Sequence, residues 1–167
     1  SRFYEPETGG KVTQLLIHSN DSRIMTILVQ GRGMSRTRDM GKTWTSLLEP
    51  LKPYKGANVG LTVTTTIKDS NTLYYLSSFG LLRSTDGGGA WNEIKLLTNP
   101  SKTTIRTFAV DPVTPTLMYY TTATTLYYSV DSGKTWSTKA LPSTYMPFIF
   151  SIEQGKTPIL YMGGIKQ

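Results

Sequence analysis

Thr37–Trp44 (TRDMGKTW) is the first of three copies of one octapeptide, and Ser84–Trp91 (STDGGGAW) and Ser129–Trp136 (SVDSGKTW) are the others. Their common pattern is Ser/Thr-x-Asp-x-Gly-x-Thr-Trp, from which Ala90 departs. We call these three segments the aspartate turns. Their aspartates are 47 and 45 residues apart, so a unit of this length repeats along the chain. Such a repeat is typical of β-propellers, in which each blade contains four short strands.

Each aspartate turn has the composition of a hairpin turn that its own side chains hold together. The Asp carboxylate can accept hydrogen bonds from backbone N–H groups one to three residues further on, and the preceding Ser or Thr hydroxyl can join it. The Gly supplies a positive φ, and the Trp begins the next strand. We therefore assign a structural role to Asp39, Gly41, Trp44, Asp86, Gly88, Trp91, Asp131, Gly133 and Trp136.

Apolar runs upstream of each aspartate turn extend the repeat. Twelve residues before the aspartates lie Ile27, Tyr74 and Tyr119, each inside a run rich in β-branched and aromatic residues. Polar clusters precede these runs, and further strands precede the clusters at 13–18, 60–67 and 104–110. No segment has the apolar spacing of a long helix. The prediction is an all-β fold, with propeller blades of four antiparallel strands.

The repeats predict a single propeller, or an arc of one, over residues 1–167. Three full repeats lie at approximately 11–52, 58–98 and 103–142, and one partial repeat lies at 146–167. Residues 1–6 form a strand that could complete a blade. The chain thus holds about three and a half blades, whereas propellers have about four to eight. Three explanations remain open: a piece of a longer propeller, a homodimer that completes one ring, or a small four-bladed ring. Unpaired strand edges on an open arc favour self-association.

The net charge is +7, because 18 Lys and Arg residues oppose 11 Asp and Glu residues. This balance favours an acidic protein or an anionic glycan as a partner. Candidate partner-binding residues are the cluster of Arg32, Arg36 and Arg38, and separately Arg106 on an inner strand. Arg36 and Arg38 are expected on one side of their strand. For Arg106, a position in the central channel and a contact with a neighbouring blade remain open. No RNP-like motif indicates nucleic-acid binding.

Candidate catalytic groups are few. His18 is the only histidine and cysteine is absent, so we expect neither a metal nor a cofactor, and His18 is expected to be a packed or rim residue. Glu5 and Glu7 lie in a terminal segment flanked by Pro and Gly, which does not fix the carboxylate spacing that glycoside hydrolysis requires. No apolar run is long enough to predict a transmembrane segment. We expect no enzymatic activity.

The aspartate turns resemble the Asp box of BNR-type repeats, which occur in sialidases, sortilin-type receptors, some xyloglucan-cleaving glycosidases and the photosystem II assembly-factor family. Phe108–Pro112 followed by Leu126–Trp136 is similar to the repeat of photosystem II assembly-factor-like bacterial proteins. The resemblance implies a non-enzymatic binding or assembly scaffold in an extracytoplasmic location, such as the bacterial periplasm or the cell surface. It also implies that the aspartate turns lie at the blade periphery. The alternative is a carbohydrate-binding or glycosidase-derived, sialidase-like propeller fragment.

Overall fold

The computed structural model describes residues 10–142, 145–153 and 159–166 of the chain. These residues form fourteen β-strands, one 3₁₀ turn at Glu49–Leu51 and no α-helix. The strands are β1 (Val12–Ile17), β2 (Met25–Val29), β3 (Gly33–Thr37), β4 (Thr45–Ser46), β5 (Gly60–Thr65), β6 (Leu73–Ser77), β7 (Leu81–Ser84), β8 (Asn92–Ile94), β9 (Thr107–Val110), β10 (Met118–Thr121), β11 (Thr125–Ser129), β12 (Ser137–Ala140), β13 (Met146–Glu153) and β14 (Ile159–Ile165). In the part of the chain described here, no helix has the length and apolar character that a membrane span requires.

The strands form three four-stranded sheets, β1–β4, β5–β8 and β9–β12, and a two-stranded sheet, β13–β14. Within each sheet, neighbours in space are neighbours along the chain, which is the antiparallel meander of a propeller blade. The predicted all-β propeller is therefore confirmed, with three four-stranded blades and one two-stranded blade in the described residues. The candidate strand at residues 1–6 lies outside those residues, as do Glu5 and Glu7.

Two compact units divide the chain, Ser1–Glu93 and Ile94–Gln167. The first unit contains the first two sheets, apart from the last residue of β8. The second unit contains the third and fourth sheets, and within it the inner strand β13 lies against β9. The assignment of all four sheets to a single propeller domain stays a prediction.

A shared hydrophobic core joins the two sheets of the first unit. Leu28 and Met34 of the first sheet belong to the same buried cluster as Val63 and Tyr75 of the second sheet. Gln14 on β1 adds a polar link, because its Nε2 donates to the Val63 carbonyl (2.8 Å) and its Oε1 accepts from the Val63 N–H (2.9 Å). The amide side chain thus pairs with the inner edge of β5 as a neighbouring strand would.

The register of the sheets corrects the expected equivalence of Ile27, Tyr74 and Tyr119. Tyr74 pairs with Arg83, and Tyr119 pairs with Tyr128, three residues before the respective aspartates. In the first sheet the residue three before the aspartate is Arg36, and it pairs with Thr26 and not with Ile27. The shift of one residue in the first sheet arises in the β2–β3 loop, which has three residues (30–32). In the next two sheets the Ser77–Gly80 and Thr122–Thr125 hydrogen bonds close loops of only two residues.

Candidate functional site

The first and third aspartate turns have the same hydrogen-bond pattern. Asp39 Oδ1 accepts from the backbone N–H of Thr43 (2.9 Å), and Asp39 Oδ2 accepts from the Thr43 hydroxyl (2.7 Å). Asp131 accepts from the backbone and hydroxyl of Thr135 in the same way, at 2.9 and 2.6 Å. The carboxylate therefore reaches four residues along the chain, further than the one to three residues expected, because a left-handed pair of residues folds Thr43 or Thr135 back onto it.

The preceding hydroxyl completes each turn. Thr37 Oγ1 donates to Asp39 Oδ1 (2.7 Å) and accepts from the Gly41 N–H (2.9 Å). Ser84 and Ser129 make the corresponding bonds in the other two turns. In the second turn Asp86 Oδ1 accepts from the Ala90 N–H (3.0 Å), as in the other two turns, and also from the Gly89 N–H (2.9 Å). Ala90 has no hydroxyl that could make the bond of Thr43 and Thr135.

These hydrogen bonds stabilise the ionised carboxylates. The Thr43 hydroxyl and N–H lower the pKa of Asp39 to about 2, and those of Thr135 lower the pKa of Asp131 to about 2. The backbone N–H of Ala90 and the Ser84 hydroxyl also lower the pKa of Asp86. A carboxyl group with this pKa is ionised at neutral pH and is unsuited to act as a general acid.

Two consecutive residues with positive φ shape each turn. The second of them is Gly41, Gly88 or Gly133, at φ +82°, +100° and +80°, respectively. The first is Met40 (φ +60°), Gly87 (φ +81°) or Ser132 (φ +63°), so a side chain is present at this position in two of the three turns. Among the tryptophans that follow, Trp91 Nε1 donates to the Gly88 carbonyl and Trp136 Nε1 donates to the Lys95 carbonyl.

Replacing Gly133 by alanine is expected to lower the free energy of unfolding by about 2 kcal/mol. The new Cβ would lie 2.4 Å from Ile94 Cγ2, and φ at this position is +80°. Ser132→Ala is the matched control and should change stability by less than about 0.5 kcal/mol, because its side chain is already accommodated. Urea denaturation checks both values. Equal effects of the two substitutions would contradict a specific need for glycine at the second position.

The arginine cluster divides between the surface and the interior. Arg32 lies in the loop before β3 and Arg38 follows β3, so these two exposed residues are about 20 Å apart along the strand direction. Arg36 lies on β3 and is only 4% exposed. Its Nη2 donates to the Ser70 carbonyl (2.7 Å), in the turn between β5 and β6. Arg36 is therefore buried against the second sheet and does not share the exposure of the other two candidate partner-binding residues, Arg32 and Arg38.

Arg36 and Arg38 nevertheless meet at the second aspartate turn. A Cβ placed on Gly87 would lie 2.4 Å from Arg36 Nη1 and 2.8 Å from Arg38 Nη2. Arg38 Nη2 also donates to Asn71 Oδ1 (3.3 Å). Burial and the charge of Arg38 lower the pKa of Arg36 to about 10, against the opposing effect of Asp69. The guanidinium groups of Arg36 and Arg38 therefore lie together at the second aspartate turn. Among the described residues, neither has a carboxylate within ion-pair distance.

Arg106, the fourth candidate partner-binding residue, belongs to the second unit. The inner strand of the third sheet begins at Thr107, later than expected, and Arg106 immediately precedes it. The Arg106 N–H still donates to the Thr121 carbonyl (2.8 Å), so the backbone continues the ladder for one residue. Its side chain is exposed. Whether Arg106 lies in a central channel or contacts a neighbouring blade stays a prediction.

His18 lies beside Arg36 and is buried, as expected for a packed residue. His18 Nε2 lies 3.1 Å from Thr26 Oγ1, and Thr26 pairs with Arg36 across the sheet. Burial, together with the charges of Arg36 and Arg38, lowers the pKa of His18 to about 4, whereas Asp21 opposes this shift. The sequence did not indicate this electrostatic coupling, because the residues concerned are far apart along the chain.

Comparison with known proteins shows the fold. No protein-family model and no curated protein sequence matches the chain. An ancestral GH74 enzyme is similar in structure, with a TM-score of 0.67 and 17% identity over 89% of this chain and 21% of that protein. YCF48 from Cyanidioschyzon merolae matches with a TM-score of 0.59 and 19% identity over 80% of this chain and 38% of that protein. A structure of YCF48 bound to D1 peptide matches with a TM-score of 0.55 and 20% identity over 79% of this chain and 40% of that protein.

At these identities the likeness establishes the β-propeller fold of the chain and no more than the fold. The chain spans less than half the length of the protein chain in each of these three structures.

Proposed function

We propose that the chain is a non-enzymatic β-propeller scaffold that binds an acidic partner and associates with itself through incomplete blades. Its membership of the BNR-type, photosystem II assembly-factor-like repeat proteins is part of this proposal. The aspartate turns support it by their pattern and hydrogen bonds. The structural likeness to YCF48, which has been observed bound to D1 peptide, supports a peptide or protein as the bound partner.

The pair of guanidinium groups at the second aspartate turn carries the proposal. Arg38 is exposed, so it is available to an acidic side chain, and the buried charge of Arg36 lies next to it. Two like charges in contact with one glycine repel each other, and a carboxylate bound by Arg38 would relieve that repulsion. The net charge of +7 adds long-range attraction for an acidic partner.

The proposal gives the aspartate turns a structural role and no catalytic one, for a chemical reason. The three aspartates that the sequence emphasises already accept hydrogen bonds within their own turns, and their lowered pKa values keep them ionised. Among the described residues, no group of three or more His, Asp or Glu side chains could hold a metal ion. The likeness to a GH74 enzyme concerns the fold alone, so the alternative of a carbohydrate-binding or glycosidase-derived fragment stays a prediction.

Binding of a fluorescein-labelled oligoglutamate peptide, followed by anisotropy, tests the proposal. We expect Arg38→Gln to weaken binding by about threefold, the usual effect of one exposed charge contact. Arg23→Gln is the matched control and should have little effect, because Arg23 is exposed and already paired with Asp21 (2.8 Å). Binding should also weaken as salt is raised. Salt-independent binding, or equal affinities of the two variants, would contradict a role for this arginine.

A further inference from the structure

Gly87 differs from its counterparts in the other two aspartate turns. The first of the two positive-φ residues is Met40 in the first turn and Ser132 in the third, and both carry a side chain. At Gly87 the place of a side chain is taken, because a Cβ there would lie 2.4 Å from Arg36 Nη1 and 2.8 Å from Arg38 Nη2. The two guanidinium groups are therefore neighbours beside the backbone of the second turn.

The acidic side chains close to this place along the chain are already engaged. Asp69 accepts through Oδ1 from the Asn71 N–H (2.8 Å) and through Oδ2 from the Thr72 hydroxyl (2.6 Å). Asp86 Oδ1 accepts hydrogen bonds within its own turn. No carboxylate of the described residues lies within ion-pair distance of either guanidinium group. The acceptor that would pair with these two charges has to come from outside the described residues.

Arg36 is buried with part of its hydrogen-bonding capacity unused. Its Nη2 donates to the Ser70 carbonyl, but its Nε and Nη1 are buried and, in the described part of the chain, have no hydrogen-bond partner. Buried charges are normally paired, because their desolvation is unfavourable without a partner. Arg38 is exposed, and its Nη2 donates to Asn71 Oδ1 over 3.3 Å. An uncompensated buried charge thus lies next to a guanidinium group that a ligand can reach.

We propose that Arg38 binds a phosphoryl group on an acidic partner peptide, and that the buried charge of Arg36 makes this site prefer a phosphoryl group to a carboxylate. A phosphorylated side chain carries a charge of about −1.5 to −2 at neutral pH, whereas a glutamate carries a single negative charge. Two adjacent guanidinium groups are balanced by the first and only half balanced by the second. The charge of Arg36 is screened little by salt, because it is buried. This inference rests on the proposed function and names the chemical group that is bound.

The number of acceptor oxygens favours the same ligand. A carboxylate has two oxygens, and the two parallel N–H groups of one guanidinium group use both of them. A phosphoryl group has three terminal oxygens, so two can accept from Arg38 while the third faces Arg36 Nη1. The hydrogen bond from Arg38 to Asn71 is long, so the Arg38 side chain can move to admit this third oxygen. Arg36 then gains the acceptor that the described residues do not provide.

Anisotropy of two fluorescein-labelled pentapeptides tests the proposal. The peptides consist of glycine and differ only at the central residue, which is phosphoserine in one and glutamate in the other. We expect the phosphoserine peptide to bind about tenfold more tightly, and Arg38→Gln to weaken its binding about tenfold. Arg36→Gln should reduce the preference for phosphoserine to less than about threefold, whereas Arg36→Lys keeps the charge and should keep the preference. Inorganic phosphate should compete with the phosphoserine peptide, but bind more weakly than it does.

Arg23→Gln is the matched control and should leave both affinities unchanged, because Arg23 is exposed and paired with Asp21. Equal affinities of the two peptides, or a preference that survives Arg36→Gln, would overturn the proposal. Inorganic phosphate that binds as tightly as the phosphoserine peptide would reject a peptide as the source of the phosphoryl group. The two peptides are compared on the unsubstituted chain, so this result decides the proposal even where an Arg36 substitution prevents folding.

Oligoglutamate binding separates this inference from the proposed function. Retained oligoglutamate binding with equal affinities for the two pentapeptides would reject the phosphoryl site and leave the binding function standing. Loss of oligoglutamate binding from the unsubstituted chain, with the phosphoserine peptide still bound through Arg38, would reject a general preference for acidic partners and support the phosphoryl site. A chain that binds none of these peptides would reject both.

Discussion

Replacing Tyr75 by alanine is expected to lower the free energy of unfolding by about 4 kcal/mol. Tyr75 is fully buried in the core between the first two sheets, and its ring lies 5.9 Å from the ring of Trp91, centroid to centroid. Its hydroxyl also donates to the Ala57 carbonyl. Truncation would therefore leave a cavity and an unsatisfied carbonyl at the same place. Urea denaturation followed by tryptophan fluorescence gives the value.

Two further substitutions separate the contributions at this site. Tyr75→Phe keeps the ring and removes the hydroxyl, so it should cost about 1 to 2 kcal/mol. Tyr145→Ala removes an exposed ring of the same type and should cost less than about 1 kcal/mol. A loss of less than about 1 kcal/mol in Tyr75→Ala itself would show that this core does not hold the two sheets together.

The stability of the chain is expected to fall between pH 6.5 and about pH 4 because of His18. The pKa of this residue is lowered from 6.5 to about 4 in the folded chain, by burial first and then by Arg36 and Arg38. In this window the unfolded chain therefore binds more protons at His18 than the folded chain does, so stability falls as the pH falls. The full loss in the free energy of unfolding is about 3 kcal/mol, and it is reached when the pH falls below the pKa of His18 in the folded chain.

His18→Gln should remove this part of the pH dependence, because glutamine cannot bind a proton in this range. Urea denaturation at several pH values between 7 and 4 compares the two proteins. The turn aspartates do not interfere, since Asp39 and Asp131 lose their stabilising contribution only as the pH falls below about 3.8 toward their folded pKa of about 2. Parallel pH profiles of the two proteins would show that His18 is not the titrating group.

The sequence predicted the sheets well and the grouping of charges poorly, and one strand shows both results. The glycine and aspartate of Thr37–Trp44 act within a few residues of each other, so their turn could be recognised locally. The same local reasoning grouped Arg36 with Arg32 and Arg38 as candidate partner-binding residues. Only the contact of β3 with the turn between β5 and β6 shows that Arg36 is buried and bonded to Ser70.

What the sequence determined by itself is therefore the content of each blade: its strands, its aspartate turn and its period. These depend on alternation and on turn chemistry, which are properties of neighbouring residues. Only the tertiary structure decided that His18 is coupled to Arg36, that Gln14 pairs with the edge of β5, and that two guanidinium groups take the place of a side chain at Gly87. The reason is physical, since burial and charge coupling depend on which sheet covers a residue, and equivalent positions of a repeat can have different neighbours.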